Sequence, residues 1–178
     1  ESFRLPSHKV EYVGHGIPVE LFAVLPPALP RNPLKLVTTG RITRSKDLET
    51  IIRSVAEIEY RFPEIKVLLT IVGEPIRGDD VVYYEKIVAL VKELGLVDKV
   101  VFAGKVPNAD LRELLAGQTI FVHASRTGSI DKAVLEALAA RLPVVTSSEA
   151  FAPLVKLGIV NSFVEGYPAD LAENIEKI

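Results

Sequence analysis

A short basic loop follows the first apolar run of this 178-residue chain. Gly40 opens the loop, and Arg41, Arg44 and Lys46 come directly before a stretch of helical periodicity. Glycine lets the backbone turn sharply, and cations beside a helix N-terminus favour an anion such as a diphosphate. We therefore predict that Arg41 and Lys46 bind phosphate groups. The alternative is a loop whose basic side chains are only solvated.

Loops after the next two apolar runs carry weaker candidates. Gly73 would allow a ligand to approach the backbone closely. Lys105 and Val106 lie in a loop that could offer backbone groups to a base. The pair Asp79–Asp80 could be taken for a metal site, but the better prediction is that it caps a helix beginning at Val81.

Glu136 is a carboxylate in an otherwise apolar stretch, with A-V-L before it and A-L-A-A after it. It either pairs with Lys132, one helical turn earlier, on a solvated face, or faces a ligand and accepts hydrogen bonds from a sugar diol. The sequence leaves both roles open. The polar loop before this helix contains Ser129 and ends at Asp131, a residue type that caps helices.

The absence of cysteine and the small number of histidines argue against several other kinds of site. The absence of cysteine excludes disulfides, thiolate metal sites and a cysteine nucleophile, and three histidines make an imidazole metal site unfavourable. His123 ends an apolar run, where packing is the more frequent role, and His15 lies in an ordinary loop between two glycines. Walker, GxGxxG, HExxH and GxSxG motifs are absent. We expect neither a metal ion nor a cofactor.

The elements that position these residues are five short apolar runs, which alternate with stretches of helical period. The runs are Leu34–Thr39, Lys66–Val72, Lys99–Ala103, Thr119–His123 and Pro143–Thr146. Such alternation is typical of βαβ units, and near-continuous apolarity indicates parallel strands covered on both faces. We predict a doubly wound α/β domain, in which ligands bind at the carboxyl ends of the strands.

Five helices are predicted between and after these strands. The first has an apolar stripe from Leu48 to Ile58, and the second ends at Gly95. The third begins with Asn108 as its N-cap, and the fourth begins at Asp131. The fifth has Pro168 in its first turn.

Composition and charge set the class of protein. Hydrophobic residues make up 48% and charged residues 25%, as in a globular protein. The net charge of -2 gives no reason to expect a nucleic-acid partner. No apolar run approaches the roughly 20 residues of a membrane span, and we expect the chain to be cytoplasmic.

The first 33 residues differ from the rest. Lys9–Val13 is a candidate strand, and four prolines make Ala23–Pro33 a stiff, extended linker. A domain entered through such a linker usually has a partner domain on the other side. We therefore divide the chain into an interdomain segment, residues 1–33, and a ligand-binding domain, residues 34–178.

Five segments occur in a familiar order. They are T-T-G-R-I-T-R-S-K, L-L-T-I-V-G-E-P, K-V-V-F-A-G-K-V-P, T-I-F-V-H-A-S and T-G-S-I-D-K-A-V-L-E-A-L-A. Their order and spacing resemble the C-terminal, donor-binding domain of the retaining glycosyltransferases of family 4, which have the GT-B fold. The resemblance covers nearly the whole chain and implies a Rossmann-like domain that forms the C-terminal half of such an enzyme.

The resemblance implies roles for the candidate residues. Arg41 and Lys46 match a pair that binds the diphosphate of the donor, and Glu136 matches a glutamate that binds the ribose hydroxyls. Gly73 matches a glycine close to the nucleotide, and the segment Lys105–Val106 matches one that contacts the base.

Two positions depart from the family pattern. Gly128 stands where the family has the first of two glutamates, and Asp131 and Lys132 are the natural substitutes for recognising the donor sugar. Ala150 and Phe151 stand where many members have two glycines, which weakens any role of backbone amides there.

The resemblance implies that this chain binds a UDP-, GDP- or ADP-sugar. Joined to an N-terminal acceptor domain, it would transfer the sugar with retention and without a metal ion. Alone, it should turn over little or no substrate, and any peripheral membrane association would come through the other half. The alternatives are a non-catalytic module of the same fold, half of a nucleotide-sugar 2-epimerase, and an unrelated flavodoxin-like module.

Overall fold

The structure is a computed structural model that describes residues 16–23 and 32–178. Its strands are β1 (Leu34–Thr39), β2 (Val67–Val72), β3 (Val100–Gly104), β4 (Ile120–His123), β5 (Val144–Thr146) and β6 (Asn161–Ser162). They form one six-stranded sheet in the order β3-β2-β1-β4-β5-β6, and every neighbouring pair is parallel. This order confirms the predicted doubly wound sheet.

Helices cover both faces of the sheet. They are α1 (Val19–Phe22), α2 (Leu48–Arg61), α3 (Asp79–Glu93), α4 (Asn108–Ala116), α5 (Lys132–Ala139), α6 (Ala152–Lys156) and α7 (Pro168–Glu176). One core packs the sheet against α2, α3 and α7, and the other packs it against α1, α4 and α5. Leu36 and Val37, neighbours on β1, lie in different cores and are both fully buried. Burial on both faces explains the near-continuous apolarity of the strands.

The strand order reverses between β1 and β4, which pair at the centre of the sheet. The loops that follow these two strands therefore lie side by side. The N–H of Arg126, after β4, donates to the C=O of Ser45, after β1, at 2.9 Å. In a doubly wound sheet this is the position at which a ligand binds.

Several predicted helix ends are confirmed. Gly95 has φ +68°, and its N–H donates to Lys92 while the N–H of Leu96 donates to Val91, which is the pattern of a Schellman motif. Pro168 is the first residue of α7. Neither α6 nor β6 is predicted, because each is too short to show a period.

Two predicted caps are wrong. Asn108 is the first helical residue of α4, and its side chain caps nothing. The carbonyl of Pro107 instead accepts from the N–H groups of Asp110 and Leu111. Likewise, α3 begins at Asp79 rather than Val81, so the Asp79–Asp80 pair lies in the first turn without a capping hydrogen bond. There the carboxylates still face the positive end of the helix dipole.

Part of the segment predicted to join two domains packs against this one. Phe22 on α1 is 2% exposed and belongs to the core that contains α4 and α5. The predicted strand Lys9–Val13 and most of the linker Ala23–Pro33 lie outside the described residues. The division of the chain at residue 33 stays a prediction.

Candidate functional site

The loop after β1 turns at Gly40. Gly40 has φ +134°, which glycine adopts far more readily than other residues. Its N–H donates to the C=O of Val72 at 2.9 Å, and the N–H of Ile42 donates to the C=O of Glu74 at 3.1 Å. Backbone hydrogen bonds therefore hold the loops after β1 and β2 against each other.

Gly73 lies where these two loops meet. It has φ +138°, and a Cβ built on it would lie 1.9 Å from the carbonyl oxygen of Gly40. Any side chain at this position would push the loops apart. Gly73 is thus closely approached by the backbone of Gly40. The predicted close approach of a ligand to Gly73 stays a prediction.

Lys46 joins the loop after β1 to the start of α5. Its ammonium group contacts Oδ2 of Asp131, and Oδ1 of Asp131 accepts from the N–H of Ala133 at 3.1 Å. Asp131 is therefore the predicted N-cap of α5 and, in addition, the counter-ion of Lys46. Burial and the charge of Arg41 lower the pKa of Lys46.

The three cations of the loop have different surroundings. Arg41 is largely exposed, and its Nε lies 4.0 Å from Oδ2 of Asp80. The guanidinium of Arg44 lies over the ring of Tyr83, 5.6 Å from its centroid. The structure thus places Arg41 and Lys46 close enough for their charges to interact, while Arg44 is packed on an aromatic ring.

Glu136 is half-buried on α5. Burial raises the pKa of its carboxyl group, and the positive charge of Lys132 opposes that effect without cancelling it. No ion pair joins Glu136 to Lys132 in the part of the chain that the structure describes. The simple surface pair is therefore disfavoured, because a solvated pair would leave the carboxyl group easily ionised.

The remaining predicted residues are not joined to this group. Lys105 is exposed, and Val106 packs against the core that contains α5. Ser129 is exposed, and its hydroxyl contacts that of Thr127 at 3.2 Å. Among the described residues, no hydrogen bond links Lys105, Val106 or Ser129 to the loop after β1.

Two buried groups have larger roles than sequence reasoning gave them. His123 is 1% exposed, and its Nε2 lies 3.2 Å from Oδ2 of Asp131. Asp47 is 3% exposed and binds the guanidinium of Arg126 at 3.1 Å, which fastens the loop after β4 to the loop after β1. The position of His123 at the end of a predicted strand is a sequence signal for its role. No feature of the sequence indicates the role of Asp47.

Comparison with known proteins decides the family. A family model described as glycosyl transferases group 1 matches residues 33–178. The chain belongs to the group 1 glycosyltransferases. Mannosylfructose-phosphate synthase of Agrobacterium fabrum is 29% identical over 112 residues, which are 63% of this chain and 25% of the synthase.

Solved glycosyltransferase structures share the fold of this glycosyltransferase chain. HepE of Anabaena, in complex with UDP and glucose, has a TM-score of 0.77 at 22% identity over 91% of this chain and 45% of HepE. The C-terminal domain of LpcC, a group 1 glycosyltransferase of Francisella tularensis, has a TM-score of 0.76 at 18% identity over 91% of this chain and 87% of that domain. The chain thus has the Rossmann-like fold of a GT-B C-terminal domain and spans a quarter of the synthase and under half of HepE.

Two cavities lie at opposite ends of the sheet of this glycosyltransferase domain. One, of about 730 Å³, borders the carboxyl ends of β4, β5 and β6 beside Gly128. Its wall is rich in hydroxyl-bearing residues, which are Ser125, Thr127, Thr146, Ser147, Ser148 and Ser162. The other, of about 510 Å³ and mostly apolar, lies at the amino ends of β1 and β4 near α7. Because parallel sheets bind ligands at their carboxyl ends, the first of these two cavities lies at the end of the sheet where a ligand is expected. Gly40, Arg41 and Lys46 line a separate and much smaller cavity at the same end.

Residues 16–23 and 32–178 of the glycosyltransferase chain contain neither a cluster of metal ligands nor a helix that could span a membrane. There, no cluster of three or more histidine, cysteine or acidic side chains could hold a metal ion. No helix in the same ranges is long and apolar enough to cross a membrane. The expectation that donor binding needs no metal stays a prediction.

The raised pKa of Glu136 makes a prediction about the stability of the glycosyltransferase domain. The folded-state pKa of this carboxyl lies above its ordinary value of 4.5, so folding favours the neutral form. The stability that the neutral carboxyl contributes is lost as the pH rises through the folded-state pKa. We expect Glu136→Gln to have a higher Tm than the wild type at pH 7, with a smaller difference at pH 4. Thermal unfolding between pH 4 and 7 measures this effect.

The matched control is Glu93→Gln, on the exposed face of α3. This variant removes a charge from a helix without removing a half-buried carboxylate. A Glu136→Gln chain that is less stable than wild type at pH 7 would show that the ionised carboxylate makes a favourable contact in the folded state.

Proposed function

We propose that this chain is the donor-binding half of a retaining glycosyltransferase and that it binds a nucleoside diphosphate sugar. One observation supports this most directly. Lys46 contacts Asp131 at the start of α5, so the basic loop after β1 meets the helix that carries Glu136. A diphosphate and a ribose are adjacent in every nucleoside diphosphate sugar. They would thus have a cationic and a carboxylate partner on neighbouring elements.

Arg41 and Lys46 would stabilise the diphosphate as it leaves. Cleavage of the anomeric bond places developing negative charge on the leaving oxygen, and fixed cations stabilise that charge. Two side-chain cations can supply the charge that Mg²⁺ supplies in other enzymes, so this reaction would need no metal ion. Retention of anomeric configuration is the outcome that the resemblance implies.

Glu136 would accept hydrogen bonds from the two ribose hydroxyls. A carboxylate oxygen pair suits a vicinal diol, because each oxygen can accept from one hydroxyl. Binding would also compensate the cost of ionising a half-buried carboxyl. Gly40 and Gly73 would line the nucleotide, and the Lys105–Val106 segment would contact the base.

Recognition of the donor sugar would involve Ser129 and Lys132, both exposed beside the start of α5. Asp131 was predicted to share this role. Its oxygens already contact Lys46, His123 and Ala133, so a sugar hydroxyl would have to share them. We therefore assign Asp131 the role of holding Lys46 in place, rather than that of binding the donor sugar.

The acceptor site and any general base would lie in an N-terminal domain that this sequence does not contain. The small share of the synthase and of HepE that the chain spans supports that view. The chain alone would bind the donor and turn over little of it. Membrane association, if the whole protein has any, would come through that other domain.

Thermal-shift titration of the chain with millimolar UDP, GDP and ADP tests the proposal. A ligand at 100 times its Kd adds about 2.7 kcal/mol of apparent stability, so weak binding is measurable. We expect one nucleotide to raise the Tm, and Arg41→Ala and Glu136→Ala to lose that increase. The control Glu93→Ala should keep it.

Absence of a shift with all three nucleotides would contradict donor binding. It would favour a non-catalytic module of the same fold, which the glycine at position 128 permits because it supplies no carboxylate for the sugar. Donor hydrolysis by the full-length protein would then decide between a module and a transferase whose site needs both domains.

A further inference from the structure

A chain of hydrogen bonds reaches His123 from β5. The N–H of Ser148 donates to Oγ1 of Thr146 at 3.1 Å, and Oγ1 of Thr146 lies 2.8 Å from Nδ1 of His123. A hydroxyl oxygen has two lone pairs, so Oγ1 of Thr146 can accept from Ser148 and still either donate to Nδ1 or accept from it. The contact at the other ring nitrogen decides: Nε2 lies 3.2 Å from Oδ2 of Asp131, and a carboxylate oxygen only accepts. Nε2 therefore carries the ring proton, and Nδ1 accepts from Thr146.

The Nε2 proton of His123 is directed at Asp131. The distance from Nε2 to Oδ2 of Asp131 is 3.2 Å. Burial, together with the charge of Lys46, lowers the pKa of His123 to about 3, so the ring is neutral at physiological pH. A neutral ring with one fixed donor orients a carboxylate without adding a second positive charge beside Lys46.

Asp131 is held on several sides, and it in turn holds Lys46. Its Oδ1 accepts from Ala133, and its Oδ2 contacts both His123 and the ammonium of Lys46. On the other side, Lys46 lies against Gly40, where an added Cβ would be 3.4 Å from Cε and 3.6 Å from Nζ. The ammonium group is thus confined between a bare backbone and a fixed carboxylate.

We propose that His123 is a positioning residue that fixes the Lys46 ammonium through Asp131. That the ammonium group binds phosphate rests on the proposed function. That His123 and Asp131 hold the ammonium group in place does not. Without the donor at Nε2, the Asp131 carboxylate can rotate about its Cβ–Cγ bond. Lys46 then loses its fixed counter-ion, and its long flexible side chain regains other rotamers.

A matched pair of variants separates positioning from packing. In His123→Gln the amide nitrogen can reach the place of Nε2 and donate to Asp131. In His123→Asn the shorter amide replaces Nδ1 and cannot reach Asp131. Both variants place a neutral amide at the same buried position, so they share the cost of replacing the ring.

The first measurement is the pKa of Lys46, which is obtained from the pH dependence of its ¹³Cε NMR resonance in a lysine-labelled chain. We expect His123→Gln to keep the wild-type pKa of Lys46 and His123→Asn to lower it, because an opposite charge at contact distance raises a lysine pKa. Asp131→Asn, which keeps a capping residue type, should lower it as well. An unchanged pKa of Lys46 in folded His123→Asn would overturn the proposal. If that variant does not fold, Thr146→Val takes its place with the same expected direction, because it removes the hydrogen bond that holds the ring at Nδ1.

The second measurement is a double-mutant cycle with inorganic pyrophosphate, titrated by calorimetry. We expect His123→Asn to weaken binding at least fivefold and to have no further effect in the Lys46→Ala background. Equal weakening in both backgrounds would mean a general structural effect and would contradict positioning. If the wild type binds neither pyrophosphate nor a nucleoside diphosphate, the proposed function fails, while the pKa of Lys46 still decides the positioning role.

Discussion

Lys46→Ala should bind nucleoside diphosphate at least ten times more weakly than the wild type. A hydrogen bond to a charged group contributes about 1.5–3 kcal/mol, and each 1.4 kcal/mol is roughly a tenfold change in affinity. Lys46 is three-quarters buried, at 22% exposure of its side chain, so solvent screens its charge less than that of an exposed lysine. Calorimetric titration with UDP, GDP and ADP measures the loss.

Arg44→Ala is the matched control for Lys46→Ala. It removes one positive charge from the same loop, but its guanidinium lies over the ring of Tyr83. We expect this variant to bind the nucleotide within about twofold of wild type. Equal losses in the two variants would mean that the loop acts only through its net charge, and no loss in Lys46→Ala would remove Lys46 from the site.

Gly73→Ala should destabilise the domain by about 3 kcal/mol or more, because two costs add. The new Cβ would lie 1.9 Å from the carbonyl oxygen of Gly40, which is rigid backbone. The residue would also have to keep φ near +138°, a conformation costly for alanine. A fall in Tm of about 6 °C or more is expected for a domain of this size, and thermal unfolding measures it.

Gly128→Ala is the control for Gly73→Ala. No atom lies within 4 Å of a Cβ built on Gly128, and its φ is not in the positive range. We expect a change of no more than about 0.5 kcal/mol, as for other surface substitutions. If Gly73→Ala unfolds at the wild-type temperature, the loops after β1 and β2 can separate without cost, and the contact with Gly40 does not stabilise the fold.

Local patterns made the strands and most helices predictable. The central strands are nearly continuous in apolar residues because both faces of the sheet are buried, and the run Leu34–Thr39 coincides with β1. Gly95 and Pro168 mark helix ends because their backbone preferences act locally. The cap predicted at Asn108 is wrong, because the proline before it supplies the carbonyl that closes the first turn.

Candidate site residues were predictable where residue type and chain position suffice. Arg41 and Lys46 follow a strand and precede a helix, and that position lies at the carboxyl edge of any parallel sheet. The sequence allows Glu136 two roles, because helical spacing places it near Lys132 whether or not the two side chains meet. Its half-buried environment depends on the packing of α5, which no local pattern reports.

The sequence by itself determined the fold class, the family and the loop that carries the basic residues, because these depend on periodicity, residue type and order. Tertiary structure alone decided that Lys46 meets Asp131, since the two residues are 85 positions apart. It also places Nε2 of His123 beside the carboxylate of Asp131, and Gly73 in contact with the backbone of Gly40. Such contacts require the order of the strands in the sheet and the path of each loop, and both are set by packing over the whole domain.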